Sequence, residues 1–189
     1  MHLDIKKIDS VLTPDQHDIM LRAVRSEMFS WNLISDIANN GNQSDDLTQY
    51  AFRHRVWFLN QPVSEWASLF ADLLDRCVVS TGGELVYIPK VFVNLNMNYG
   101  RQNPNLAHCD GFMDMETESL RRYTGIYYIN DSDGDTLFFD TDGTTVVASY
   151  RPIANTMLVF PSAYLHSRQL PLQHNTRLVL NINVLVQMS

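Results

Sequence analysis

Arg177-Leu178-Val179-Leu180-Asn181-Ile182-Asn183-Val184-Leu185-Val186-Gln187 is the stretch on which the fold turns. Side chains alternate between the two faces of a strand. Leu178, Leu180, Ile182 and Val184 therefore share one face, and Arg177, Val179, Asn181 and Asn183 share the other. The greasy face calls for apolar cover, which helices would supply. The mixed face, led by Arg177, is expected to line a pocket.

Working outward, short β-rich runs separated by turn residues fill the chain from Glu84 onward. They are Leu85–Ile88, Val91–Tyr99, Thr124–Asn130, Thr136–Asp140, Thr145–Tyr150 and Thr156–Phe160, and Asp140-Thr141-Asp142-Gly143 reads as a hairpin turn. The earlier chain has a different texture. Thr13-Pro14-Asp15-Gln16 is a helix start, with a hydroxyl cap, proline at the first helical position and Gln three residues on. Ile19, Met20, Ala23, Val24 and Met28 follow as an apolar stripe. Residues 35–49 read as a polar loop, and Ala51–Leu59 as a strand with Arg53, His54 and Arg55. Pro62 is expected to open a second helix that buries Trp66, Leu69, Phe70, Leu73, Leu74 and Cys77 and ends at Gly82-Gly83. Helices followed by antiparallel strands predict a mainly-β fold: a double-stranded β-helix (jelly roll) core with supporting helices on one face. One domain over 1–189 is expected, with 1–83 as helical lead-in and loops and 84–189 as the jelly-roll core.

Bulk composition narrows the function classes. The chain has 189 residues, 45% hydrophobic and 19% charged, with a net charge of −7. That balance argues against a nucleic-acid-binding surface. Two cysteines are too few for a disulfide framework, and a reducing, cytoplasmic setting is expected. No secretory leader is expected from Met1-His2-Leu3-Asp4-Ile5, and no run is long enough for a membrane span.

His108-Cys109-Asp110 carries the chemistry. On a strand, His108 and Asp110 point together and Cys109 points away. If the fold brings His166 beside them, two imidazoles and one carboxylate line one side of a metal, a set that suits non-haem Fe(II) handling O₂. Arg177 offers a planar, always-charged fork for a carboxylate. Metal plus carboxylate anchor points to an oxygenase with an oxo-acid co-substrate.

Four stretches, in order, resemble the Fe(II)/2-oxoglutarate-dependent dioxygenases, particularly the prolyl-4-hydroxylase-like branch. Tyr99-Gly100 leads to His108-Cys109-Asp110-Gly111. Thr124-Gly125-Ile126-Tyr127-Tyr128-Ile129-Asn130 is similar to the strand that ends in a Tyr-Leu-Asn-like turn. Asp133-Gly134-Asp135-Thr136-Leu137-Phe138-Phe139 is similar to the Gly-Gly-Glu-Thr-x-x-Phe strand, with Asp133 at its first glycine. Met157-Leu158-Val159-Phe160-Pro161 precedes His166 and Arg177. The resemblance covers roughly residues 91–186 and implies His108, Asp110 and His166 as ligands to Fe(II). It also implies Arg177 and Tyr128 on the distal carboxylate of 2-oxoglutarate, Tyr99 at the pocket border and Thr136 in its wall. Arg168 is expected to face the same cavity and to meet substrate, although the family has a small apolar residue there.

The activity implied is hydroxylation of an unactivated C–H bond of a prolyl or other residue in a peptide or protein. O₂ is the second co-substrate, succinate and CO₂ are released, and ascorbate is an accompanying reductant. A small-molecule substrate and a jelly-roll binding module without turnover are the alternatives. A nucleic-acid demethylase fits poorly, because Arg177-Leu178-Val179 lacks that group's Arg-x-Asn and second arginine. Asp110 disfavours a halogenase, which gives up the carboxylate. Residues 35–50 and 101–107 are candidate substrate covers. His2, His17, His54 and His174 read as surface or loop residues, Asp131–Asp135 as a polar turn, and Cys109 as a small packed side chain.

Overall fold

The computed structural model describes residues 3–35, 50–101, 106–110, 117 and 119–188. Its strands are β1 (Lys6–Asp9), β2 (Asn32–Ser35), β3 (Tyr50–Phe58), β4 (Gln61–Pro62), β5 (Glu84–Met97), β6 (Leu120–Tyr128), β7 (Thr136–Phe139), β8 (Val146–Tyr150), β9 (Thr156–Pro161), β10 (His166–Arg168) and β11 (Thr176–Gln187). The helices are α1 (Pro14–Val24) and α2 (Ala71–Thr81), the latter entered through a 3₁₀ turn at Ala67–Phe70. The larger sheet runs β1-β9-β6-β11-β5-β3-β2, with β4 on β3; the smaller runs β10-β7-β8. An antiparallel bridge between His108 and His166 adds one further segment to the β10 edge. Two antiparallel sheets face to face are the expected jelly roll.

β11 is the middle of the large sheet, paired with β5 on one side and β6 on the other. Its greasy face (Leu178, Leu180, Ile182, Val184, Val186) joins Met20 and Val24 of α1 and Phe70, Leu73, Leu74 and Cys77 around α2 in one buried cluster. Each fully buried Leu or Ile there contributes roughly 1.5–3 kcal/mol. The helix comes so close that a Cβ at Gly125 on β6 would lie 2.6 Å from Cys77 Sγ. Glycine is what permits that contact. On the opposite face, Val179 packs with Ile126, Tyr128, Phe138, Leu158 and Phe160 between the two sheets.

Local expectations met the structure unevenly. The α1 cap forms as read: Gln16 N donates to Thr13 Oγ1 (3.3 Å) and Thr13 N to Gln16 Oε1 (3.0 Å). Only Met20 and Val24 of its stripe are fully buried, however, and Ile19 (52%) and Met28 (75%) are exposed. Pro62 does not open a helix. Leu59 and Asn60 take positive φ values of 49° and 65°, and the chain turns back so that Pro62 pairs with Trp57 in β4. A residue without N–H is tolerated on such an edge.

The two runs expected at 85–88 and 91–99 are one continuous strand, β5. A register irregularity against β11 between Asn183 and Leu185 accommodates Pro89, which has no N–H to give the ladder. The first 83 residues also contribute four strands, β1 to β4, to the large sheet. They are therefore more than helix and loop.

His54 is buried, bonded by Nε2 to Ser64 Oγ (2.6 Å) and by Nδ1 to Ser30 O (2.8 Å). His17 meets Tyr127 OH at 2.6 Å. Two partners within reach let His54 leave solvent, while His17 stays half-buried. Cys109 is exposed, since the alternation that turns it from its neighbours turns it outward. His2 lies outside the described residues, as do most of the two candidate covers, 36–49 and 102–105.

Candidate active site

The fold brings His108, Asp110 and His166 together, with one ligand atom from each within 4.8 Å of the others. Backbone pairing achieves this: His108 N donates to His166 O (3.0 Å) and His166 N to His108 O (2.8 Å). Asp110 N donates to Ser162 O at 3.0 Å, which fixes the next alternate residue. Each imidazole is also aimed. His108 Nδ1 lies 3.3 Å from Leu106 O and His166 Nδ1 lies 2.9 Å from Tyr164 O. A protonated Nδ1 at each carbonyl leaves Nε2 as the free lone pair, the arrangement metal-binding histidines use. His166 Nε2 stands 3.6 Å from Asp110 Oδ2.

Asp110 is held from behind by groups the sequence did not disclose. Its Oδ2 accepts from Thr124 Oγ1 and Asn183 Nδ2, both at 3.1 Å. Thr124 Oγ1 also lies 2.9 Å from Ser162 Oγ. Lys90 Nζ approaches Oδ1 at 3.8 Å. Burial pushes this carboxyl up, but His166, Lys90, His108 and the Asn183 amide outweigh it and hold it at about 2. Burial lowers the pKa of His166, which favours the neutral, ligating ring.

The second part of the site is a buried cluster around Arg177. Arg177 is only 2% exposed; its Nε donates to Gly134 O (2.7 Å) and its Nη2 to Thr136 Oγ1 (2.8 Å). Tyr128 OH donates to the same Thr136 Oγ1 at 2.8 Å. Burial draws the guanidinium down to about 10 and pushes the Tyr128 phenol up to about 12. Both groups nonetheless keep their protons near neutral pH. A Cβ at Gly134 would lie 2.6 Å from Gln169 O and 3.1 Å from Arg177 Cδ, so this glycine leaves room for the arginine. Asp133 secures the loop that leads into β11, accepting from the backbone N–H groups of Leu172, Gln173 and His174. A glycine at that position could not do this.

Of the residues named from sequence, Arg177, Tyr128 and Thr136 form one cluster. Arg168 is the cross-strand partner of Thr136 and shares its face. Tyr99 follows the end of β5, half-buried; among the described residues no hydrogen bond ties it to that cluster. Asn96 was missed. It sits opposite Arg177 in the β5–β11 register, 1% exposed, and neither polar atom of its side chain has a partner among the described residues. A buried amide in that state is costly unless a ligand completes it. The alternation Asn94, Asn96, Asn98 was visible, but its alignment with Arg177 needed the sheet register.

Residues 95–185 match the sequence profile of the 2OG-Fe(II) oxygenase superfamily. No curated protein sequence matches the chain. Among solved structures, a prolyl-4-hydroxylase from Pseudomonas putida is similar, with 15% identity over 99% of this chain and 94% of that one and a TM-score of 0.61. The viral collagen prolyl hydroxylase of Paramecium Bursaria Chlorella virus-1 in its 2OG complex shares 17% identity, covers 96% of both chains and has a TM-score of 0.57. The non-heme alpha ketoglutarate dependent carbocyclase SnoK from nogalamycin biosynthesis has 12% identity over 97% of this chain and 80% of that one, with a TM-score of 0.72. At such identities these likenesses establish the fold. With the profile match and the site geometry, the chain carries a 2OG-Fe(II) oxygenase superfamily region at residues 95–185. It is an oxidoreductase of the dioxygenase type; that superfamily's cofactor is Fe(II) and its co-substrates are 2-oxoglutarate and O₂.

Proposed function

We propose that the protein hydroxylates an unactivated C–H bond, with His108, Asp110 and His166 holding Fe(II) and Arg177 anchoring 2-oxoglutarate. One observation carries the reading: two aimed imidazoles and a buried carboxylate converge within 4.8 Å, and the buried Arg177 shares a face of β11 with Asn183, which holds that carboxylate. The donor set fits the ion, since two neutral nitrogens and one carboxylate leave coordination positions open.

When bound, Fe(II) with O₂ and 2-oxoglutarate supplies an oxidation that converts R–H to R–OH and 2-oxoglutarate to succinate and CO₂. The chain's own groups position and shield. His108 and His166 present Nε2 with the ring fixed through Nδ1. Thr124 and Asn183 hold the Asp110 carboxylate in one orientation. Arg177, with Tyr128 and Thr136, receives the distal carboxylate by charge-assisted hydrogen bonds. Asn96 stands opposite Arg177 in the sheet register. The apolar wall of Ile126, Leu158, Phe160 and Val179 keeps water from the reacting atoms.

The substrate we propose first is a prolyl residue of a peptide or protein, supported by the likeness to two prolyl hydroxylases. A small molecule is the second reading, favoured by the TM-score of 0.72 to SnoK. We place the whole chain in one domain, since β1 to β4 complete the sheet that β5 to β11 begin. A cytoplasmic location is in keeping with two unpaired cysteines. Among the described residues no helix is long and apolar enough to cross a membrane.

The test is succinate release with Fe(II), ascorbate and 2-oxoglutarate. Release that disappears in His108→Ala and His166→Ala is expected. No release, with no metal bound, would leave only a binding module. A mass-shift screen over prolyl peptides and small molecules then separates the two substrate classes.

A further inference from the structure

We infer that the substrate carries an anionic group, received by Lys90 and Arg55 on the flank of the site away from Arg177. This rests on the oxygenase reading above and specifies its substrate.

The inner face of the large sheet is cationic in an acidic chain. By register, Arg53 and Arg55 of β3 lie beside Asn94 and Phe92 of β5, and Phe58 lies beside Lys90. Lys90 in turn faces Asn183, which faces Thr124, the two residues that hold Asp110. Cations and aromatics alternate across this patch. Arg53 Cζ lies 3.9 Å from the Phe92 centroid, Arg55 Cζ 4.4 Å from that of Phe58, and Lys90 Nζ 5.6 Å from that of Phe92. The stacked rings hold the cations over the sheet in fixed places. The stretches that surround the patch on this face (53–58, 90–96, 124–128 and 177–183) include no Asp or Glu, and the first acid is Glu84 at the far end of β5, although the chain as a whole carries a net charge of −7.

Charge balance at the metal ligands sharpens the point. Lys90 Nζ is 3.8 Å from Asp110 Oδ1, its one carboxylate neighbour among the described residues. Once Asp110 binds a dication, that carboxylate no longer compensates a nearby ammonium, and Lys90 sits beside net positive charge. Arg55, exposed on the same patch, adds to it. The dicarboxylate co-substrate is anchored at the other end, by Arg177. An anionic group on the substrate would restore balance and hold the reacting carbon near the metal, with Phe92 and Phe58 as an apolar rest. A low-dielectric cleft of one sign also draws such a molecule in.

The test uses acid and amide pairs of one shape: phenylacetate against phenylacetamide, and N-acetyl-prolyl-glutamate amide against its glutamine counterpart. Binding to the full chain is read by ligand-observed saturation transfer at low salt, which needs no metal. Line broadening with Mn(II) and 2-oxoglutarate added reads closeness to the triad. For at least one pair the acid is expected to bind about ten-fold more tightly than the amide, weakening with salt. The preference should vanish in Lys90→Met and survive in Lys90→Arg, which separates charge from folding. Which pair responds tells a small acid from an acidic peptide. Equal binding of acid and amide in both pairs, binding by neither member, or a preference undiminished in Lys90→Met or in Arg55→Gln overturns the inference. Succinate release by the unaltered enzyme stands apart from this result. If it occurs while acids and amides bind alike, only the anion assignment falls; if it is absent, the oxygenase reading falls.

Discussion

The two faces of β11 are built from alternate residues of one strand, yet they follow opposite rules. Leu178, Leu180, Ile182 and Val184 face a sealed apolar layer under the helices. Arg177, Asn181 and Asn183 lie on the side of the candidate site and carry buried polar atoms, two of which (Asn181 Oδ1 and Asn183 Oδ1) have no partner among the described residues. The first face lowers the free energy of folding. The second raises it, and the strand tolerates this because the first is so well packed. Stability and chemistry are thus separated by the side-chain period alone.

Substitutions on the two faces should therefore act on different observables. Leu180→Ala is expected to have the largest effect, lowering unfolding free energy by about 2–5 kcal/mol; denaturant titration reads it, and metal affinity per folded molecule should not change. Arg177→Ala should weaken 2-oxoglutarate binding by about 2–4 kcal/mol, because a buried carboxylate loses its partner. Unchanged apparent affinity for 2-oxoglutarate would remove Arg177 from the anchor role. Asn183→Ala should reduce metal affinity by roughly ten-fold through loosening of Asp110, with a smaller change in thermal midpoint. Equal loss on both measures would mean that Asn183 belongs with the packing face.

Acid should act through Asp133. Burial raises its carboxyl, but the amides of Gln173, His174 and Leu172 outweigh burial and hold it below the ordinary range. With a depressed folded value, its stabilisation is complete above the unfolded value of about 3.9 and is lost as pH falls below that. Asp133→Asn should be less stable at neutral pH and show a flatter decline between about pH 4 and 2. Thermal unfolding across that range checks it. Thr13→Ala, far from the candidate site, should cost about 1 kcal/mol and leave ligand binding alone.

Much of this was legible in the sequence because the deciding pattern is short-range. Alternation in 177–187 gave both faces of β11, and the His-x-Asp pair gave its own geometry once it was extended. The capping box at Thr13 is likewise local. What escaped depended on register or on one unusual residue. The second helix begins at Ala71 and not at Pro62, because positive φ at Leu59 and Asn60 folds the chain into an edge pair first. His54 looked like a surface residue until Ser30 and Ser64 came to its two nitrogens. Asn96, Thr124 and Asn183 are unremarkable in sequence. Their place around Arg177 and Asp110 follows from β5, β6 and β11 lying side by side.

The backbone link between residues 108 and 166 makes one seam of the smaller sheet conditional. Its two N–H···O bonds stand at the edge of β10, and the same two residues present the imidazoles. An ion gripped by both rings closes a cross-link over that seam, so supply of the cation and local fraying become thermodynamically linked. Deuterium uptake at the His108 and His166 amides would then slow in step with occupancy, an internal gauge of metal sufficiency written into the main chain.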